Sequence, residues 1–234
     1  MKRTFFLLFS GLLIFQMSFS QQKIKGDIFI NNKKVFQQKE EYVLKEGIMT
    51  KTVVYEDLSG KAAVKTKVTY DPNNLEFFDF LQEDTRTGQV EDITHKGTAY
   101  TIKYKKNKTK SAETKILTEK GFILSGALMS LYLKKNLDKL VKGEEISFSF
   151  PAASMQQFIE FSAVKSDDKI IDGLAHNAIK MYISTWVLRM LVDPMYFYFE
   201  KSGQKRLKQY EGRLTPSDEK GDPLVGKVVF SYDF

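Results

Sequence analysis

The sequence predicts a mainly β fold, a strongly curved antiparallel sheet or β-roll wrapped around one central amphipathic helix at about 124–141. Three observations predict it. Apolar and polar residues alternate with a period of two in four separate runs, the pattern of strands with one face on a core and one in water. Turn-forming residues recur at roughly 10 to 15 residue intervals between such runs, the spacing of hairpins connected in sequence and not of βαβ crossovers. One stretch only has helical spacing.

The first twenty residues read as an address. Lys2 and Arg3 supply a positive start, Phe5 to Phe15 is an apolar run of eleven broken only by Ser10 and Gly11, and Ser18 and Ser20 place small residues before Gln21. This is the three-part secretory signal. A membrane anchor needs roughly 20 apolar residues, so eleven are too few. There is no cysteine in the chain, so no thiol can be acylated. The expected product is periplasmic or secreted, soluble after cleavage near Gln21, with no transmembrane span. Without disulfides its core must suffice alone, and a chain of this length buries roughly 70% of its unfolded surface. Residues 21–39 are expected to be a partly mobile lead-in, and 40–234 a single β-roll-like domain.

Within that domain, Val64, Thr66, Val68 and Tyr70 alternate with polar or small residues along Ala62–Tyr70. Tyr100, Ile102 and Tyr104 do so along Thr98–Lys106, as do Ile146, Phe148 and Phe150, and Val228, Phe230, Tyr232 and Phe234. Ser59-Gly60, Asp71 to Asn74, Thr87-Gly88, Lys96-Gly97, Asp172-Gly173, Asp193-Pro194 and Ser202-Gly203 punctuate the runs, since Gly and Asn accept positive φ and Pro presets φ. Glu211 to Gly226, with two prolines and polar neighbours, reads as a surface loop.

From Leu124 to Val141, Leu124, Leu128 and Leu131 follow i, i+4, i+7, and Leu133, Leu137 and Leu140 repeat the spacing. Ser125 can cap the start, lysines favour the C-terminal end, and Gly143 stops it. This predicts a helix of about five turns, its stripe covered by the concave face of the sheet. Two further segments, Ala178–Met190 and Met195–Phe199, are apolar on both faces, as strands at a sheet centre are. Their second face is covered by a further layer of rolled sheet or by a ligand. If a ligand lies there, the lining candidates are Leu128, Tyr132, Tyr182, Trp186 and Phe197.

Most catalytic chemistry is missing. The only histidines, His95 and His176, stand 81 positions apart, outside any metal-binding spacing. No GxSxG, GxGxxG or GxxxxGK[ST] pattern is present. No cofactor and no metal is expected. The carboxylate doublets, such as Glu40-Glu41 and Asp167-Asp168, point to opposite faces of a strand and are not catalytic pairs by themselves. Asp167 to Gly173 lacks the alternating ligands of an EF-hand and reads as a charged hairpin turn. The run Lys103, Lys105, Lys106, Lys108 and Lys110 reads as an edge hairpin whose lysines deter strand addition. No nucleic-acid partner is expected, and nothing in the sequence sets an oligomeric state.

The order of elements resembles a known family. Early antiparallel strands (EEYVLKEGIMTKTVVYEDL), one helix with a small residue near its start and a glycine after it (LSGALMSLYLKKNLDKLVKGEEISF), and a long aromatic strand with a final hairpin (WVLRMLVDPMYFYFEKSGQKRLKQYEG) follow the signal. This resembles exported bacterial domains of unknown function that fold as a spiral β-roll around one helix, and more distantly the half-barrels of periplasmic lipoprotein carriers. The resemblance implies a roll with no catalytic residues. The expected function is that of an exported, non-enzymatic envelope protein binding a hydrophobic molecule or another envelope component. A carboxylate-dependent hydrolase and a purely structural interaction module are the alternatives.

Overall fold

The computed structural model describes residues 23–119, 121–190 and 192–233. The expected signal and Phe234 lie outside the described residues. Fourteen strands form one antiparallel sheet: β1 (Lys23–Ile30), β2 (Lys33–Lys45), β3 (Ile48–Asp57), β4 (Ala62–Tyr70), β5 (Phe77–Asp84), β6 (Val90–Lys96), β7 (Ala99–Lys105), β8 (Glu113–Thr118), β9 (Ile146–Ala152), β10 (Gln157–Ile171), β11 (Leu174–Ile183), β12 (Met195–Glu200), β13 (Leu207–Arg213) and β14 (Val225–Asp233). Their order is β8 through β1, then β14 back to β9. Two meanders therefore meet at the β1–β14 pair, where Ile24 faces Tyr232 and Ile28 faces Val228.

Tight turns set the register. Asn31-Asn32, Glu46-Gly47 and Asp172-Gly173 each place both central residues at positive φ, with Ile30 opposite Lys33, Lys45 opposite Ile48 and Ile171 opposite Leu174. These are two-residue type I′ hairpins, whose twist matches that of the strands they join.

The sheet curls back on itself. Tyr100 of β7 meets Phe158 of β10 edge-on at 5.3 Å, although ten strands separate β7 from β10 along the sheet. Alternate residues point inward. Val64, Val68, Ile102, Ile179, Met181 and Phe199 are buried in one core.

Because every pair is antiparallel, the connections divide between two ends. The turns after β1, β3, β5, β7, β9, β11 and β13 lie at one, the loop end. The turns after β2, β4, β6, β10 and β12 lie at the other. The β8–β9 connection also starts and finishes there and carries a 3-10 turn (Gly126–Leu128), α1 (Met129–Lys135) and α2 (Leu137–Val141), so this is the helix end.

Four expectations need correction. Residues 23–39 are not a lead-in: β1 and the start of β2 lie mid-sheet, with Ile28 wholly buried. Asn31-Asn32 was the turn signal for that hairpin. The continuous helix over 124–141 is three short pieces. At Asn136 the side-chain amide donates to the Tyr132 carbonyl at 3.0 Å, sharing it with the Asn136 backbone N–H at 3.1 Å, and this side-chain-to-backbone bond accompanies a backbone turned to φ −100 and ψ 9. Leu128, Leu133, Leu137 and Leu140 are nevertheless fully enclosed, whereas Leu131 is half-buried. Ser125 makes no cap hydrogen bond. Instead, Leu124 lies beside edge strand β9, its amide donating to Ser149 O at 2.8 Å.

The fourth correction concerns Ala178–Met190. β11 ends at Ile183, and the chain leaves the sheet to form α3 (Trp186–Arg189). Arg189 explains the break: its Nε donates to Ile183 O at 3.0 Å and its Nη2 to Ser184 O at 3.1 Å, occupying carbonyls that a longer strand would use. Met195–Phe199 does form a strand covered on both faces. Phe197 and Phe199 face the core, while on the outer face Lys169 sits 4.5 Å above the ring of Tyr198 and the Tyr198 hydroxyl donates to Glu211 at 2.7 Å.

Candidate ligand pocket

At the helix end a pocket of about 280 Å3 opens between α1 and the inner face of the sheet. Strand alternation aims its walls inward: Ile24 on β1, Leu44 on β2, Met49 on β3, Phe199 on β12, Leu207 on β13 and Phe230 on β14, with Leu131 of α1 opposite. Tyr70 and Tyr232 add phenols, and Ser130 and Lys134 of α1 add a hydroxyl and an amine.

A buried polar cluster borders this apolar space. Glu40 and Lys51, only 8% and 4% exposed, form an ion pair at 3.0 Å. Gln38 Nε2 donates to Glu40 Oε1 at 2.8 Å, and the Tyr42 hydroxyl donates to Oε2 at 2.7 Å. Lys51 Nζ also donates to Ala127 O at 3.1 Å, which ties β3 to the turn preceding α1. Taking two charges out of water costs several kcal/mol per ion unless partners are well placed. Here the carboxylate has three donors and the ammonium two acceptors.

Electrostatics follow burial. Desolvation, reinforced by the Glu40 charge, pushes the Tyr42 phenol well above its ordinary range. Desolvation does the same to Tyr70, raised to about 12, and to Tyr232. These phenols are neutral donors at physiological pH. Lys134 is shifted down, first by desolvation and then by Arg206, against an opposing pull from Glu200.

The five lining candidates from the sequence do not meet here. Leu128 is inside the core. Tyr132 stacks on Phe122 at 5.2 Å and meets Phe148 edge-on. Tyr182 donates to Glu145 at 3.2 Å beneath the guanidinium of Arg189. Phe197 packs on Tyr210, with ring centroids 4.9 Å apart. Trp186 is 70% exposed, because the segment carrying it left the sheet. Glu40, Tyr42, Lys51 and Tyr70 were missed. The available signal was polar residues on inward positions, such as Lys51 between Met49 and Val53.

Both histidines are held by backbone. His95 stacks on Tyr100 at 4.1 Å, with Nδ1 3.0 Å from Phe77 O and Nε2 2.6 Å from Gly97 O. His176 is buried, with Nδ1 2.9 Å from Leu174 O. Among the described residues no group of three or more His, Asp or Glu is placed to hold a metal ion, and no helix is long and apolar enough to cross a membrane.

No protein-family model matches the chain, and no curated protein matches it. A solved structure does: the crystal structure of a beta-barrel-like protein of Domain of Unknown Function DUF1849 from Brucella abortus, with a TM-score of 0.52 and 9% sequence identity. The match covers 92% of this chain and 98% of that one. At that identity the likeness is one of fold: the chain has the β-rich, barrel-like architecture of a bacterial domain of unknown function along nearly its whole length.

Proposed function

We propose that this is an exported, non-enzymatic envelope protein that binds a small hydrophobic molecule with one polar end, in the pocket beneath α1. The observation that carries the reading is the lining itself, apolar side chains from both helix and sheet with a few convergent polar groups. That is the usual make-up of a small-molecule site. Its volume of about 280 Å3 is just under the roughly 300 Å3 at which drug-sized pockets begin, which favours a small ligand over a whole lipid. Export rests on the signal pattern of residues 1–20. A hydrolase fits less well, since glycosidases need two opposed carboxylates and Glu40 is the one carboxylate lining this pocket, neutralised by Lys51.

Native mass spectrometry of the protein purified from its own envelope tests this. A retained molecule is expected, lost in Leu131→Trp, where the indole fills the pocket, and kept in Trp186→Ala. A bare protein mass, together with no heat of binding for dodecanol, would overturn the reading.

A further inference from the structure

The loop end carries a surface that the pocket does not explain. On α3 and the residue after it, Trp186 is 70%, Val187 45% and Met190 71% exposed. They are held in that position. Arg189 binds the carbonyls of Ile183 and Ser184, and its guanidinium lies 4.3 Å over the ring of Tyr182, so with Leu188 packed on the core the segment cannot turn Trp186 and Met190 inward without breaking these bonds. Leu58, Met155 and Val225, also exposed, stand at the same end, in or beside the turns that follow β3, β9 and β13.

A second feature of that end is charge. Lys106, Lys108 and Lys110 lie in the β7–β8 connection and, among the described residues, form no ion pair. The loop is fastened to its neighbours. The Lys108 amide donates to Thr87 O at 3.0 Å, and next to Thr87, Arg86 donates to Ser217 O at 2.9 Å in the β13–β14 connection. The lysines thus belong to the rim that also bears α3.

Tryptophan and valine on one short helix with methionine just after it, at the same end of the sheet as the three lysines, match the two terms of peripheral membrane binding. Apolar side chains enter the headgroup boundary and cations meet anionic lipid. We infer that the loop end docks on a membrane surface rich in anionic headgroups, with Trp186 and Met190 inserted and Lys106, Lys108 and Lys110 facing the phosphates.

Trp186 is the only tryptophan in the chain, so its emission reports the event directly. The protein would be mixed with phosphatidylcholine vesicles and with vesicles in which a third of the lipid is phosphatidylglycerol. The expected result is a blue shift, and quenching by brominated acyl chains, with the anionic vesicles, at least tenfold weaker partition to phosphatidylcholine alone, and loss of that preference in Lys106→Gln/Lys108→Gln/Lys110→Gln. Met190→Asp should weaken partition at least tenfold with an unchanged melting curve, because the side chain is exposed. Unchanged emission with both vesicle types would overturn the inference. So would a stable dimer in sedimentation that Met190→Asp dissociates, since the face would then belong to a second copy of the chain.

Discussion

The helix end and the loop end of this sheet use the same tight hairpin turns, yet the segments that span them differ in which apolar residues they bury and which they expose. At the helix end the β8–β9 connection drives Leu133, Leu137 and Leu140 into the core and leaves a pocket over Glu40 and Lys51. At the loop end the β13–β14 connection is tied across by Arg86, while α3 turns Leu188 toward the core and keeps Trp186 and Val187 outside. The difference lies in the connections and not in the strands. The curved sheet supplies a frame with two openings, and what each opening can bind is decided by the segment that spans it.

The largest expected effect would break the helix end electrostatically. Lys51→Met leaves the Glu40 carboxylate buried with only Gln38 and Tyr42 as donors and frees Ala127 O. Breaking a buried pair from one side costs about 3–5 kcal/mol, and urea melts should show a loss of that size. Glu40→Gln/Lys51→Met removes the stranded charge and should recover more than half of it. A single variant as stable as the parent would show that water reaches the pair.

Packing comes next. Leu128 is completely enclosed, and Leu128→Ala should cost about 2–5 kcal/mol through lost burial and the cavity left behind. Lys135→Ala removes one exposed hydrogen bond to Asn73 O and should stay within about 0.5 kcal/mol. Equal, small shifts would mean that the helical segment lies on the surface and contributes nothing to closing that end.

The loop end offers a titration with the opposite character. Glu91, on the inner face of β6, is held above the usual carboxylate range by desolvation, against the opposing pull of the Gln89 amide and Arg213. The folded state therefore keeps a proton that the unfolded chain releases near pH 4.3, about the ordinary glutamate value. Stability is fullest below that pH and falls as pH rises through the raised value of Glu91. Glu91→Gln should raise Tm at pH 7 and leave it unchanged near pH 4. A Tm difference that does not vary with pH would remove Glu91 as the cause.

How much of this was legible in the sequence depended on whether neighbours in the chain decide the outcome. Ala62–Tyr70 is β4 residue for residue, since alternation and flanking turns are local. The burial of the leucines followed from spacing, but the break at Asn136 did not, because it goes with a side-chain amide that turns back onto the Tyr132 carbonyl alongside the backbone N–H. β1 was missed because its mid-sheet place comes from pairing with the other end of the chain, Ile24 with Tyr232. The pocket was out of reach for the same reason. Its walls come from β1 to β4, β12 to β14 and α1, and Lys51 gains its meaning only beside Glu40. Periodicity also failed at Trp186, where an apolar run looks alike whether it sits mid-sheet or projects from it.

That last ambiguity sets the smallest predicted effect, and the most discriminating one between the two ends. If Trp186 helped to close the core, Trp186→Ala would cost about 3–5 kcal/mol, as large aromatic truncations in cores do. The side chain is 70% exposed and its helix is four residues long, so the expected change in a urea melt is within about 0.5 kcal/mol. Arg189→Ala should matter more than the tryptophan it positions, because it strips donors from Ile183 O and Ser184 O. Losing a hydrogen bond from a charged donor costs about 1.5–3 kcal/mol when the acceptor stays buried and less when water can replace it. Ser184 is half-exposed, so about 1 kcal/mol is expected, with faster amide exchange confined to residues 184–190. Exchange spreading into β11 instead would show that α3 holds the sheet in place, and the exposed face of the loop end would then be structural.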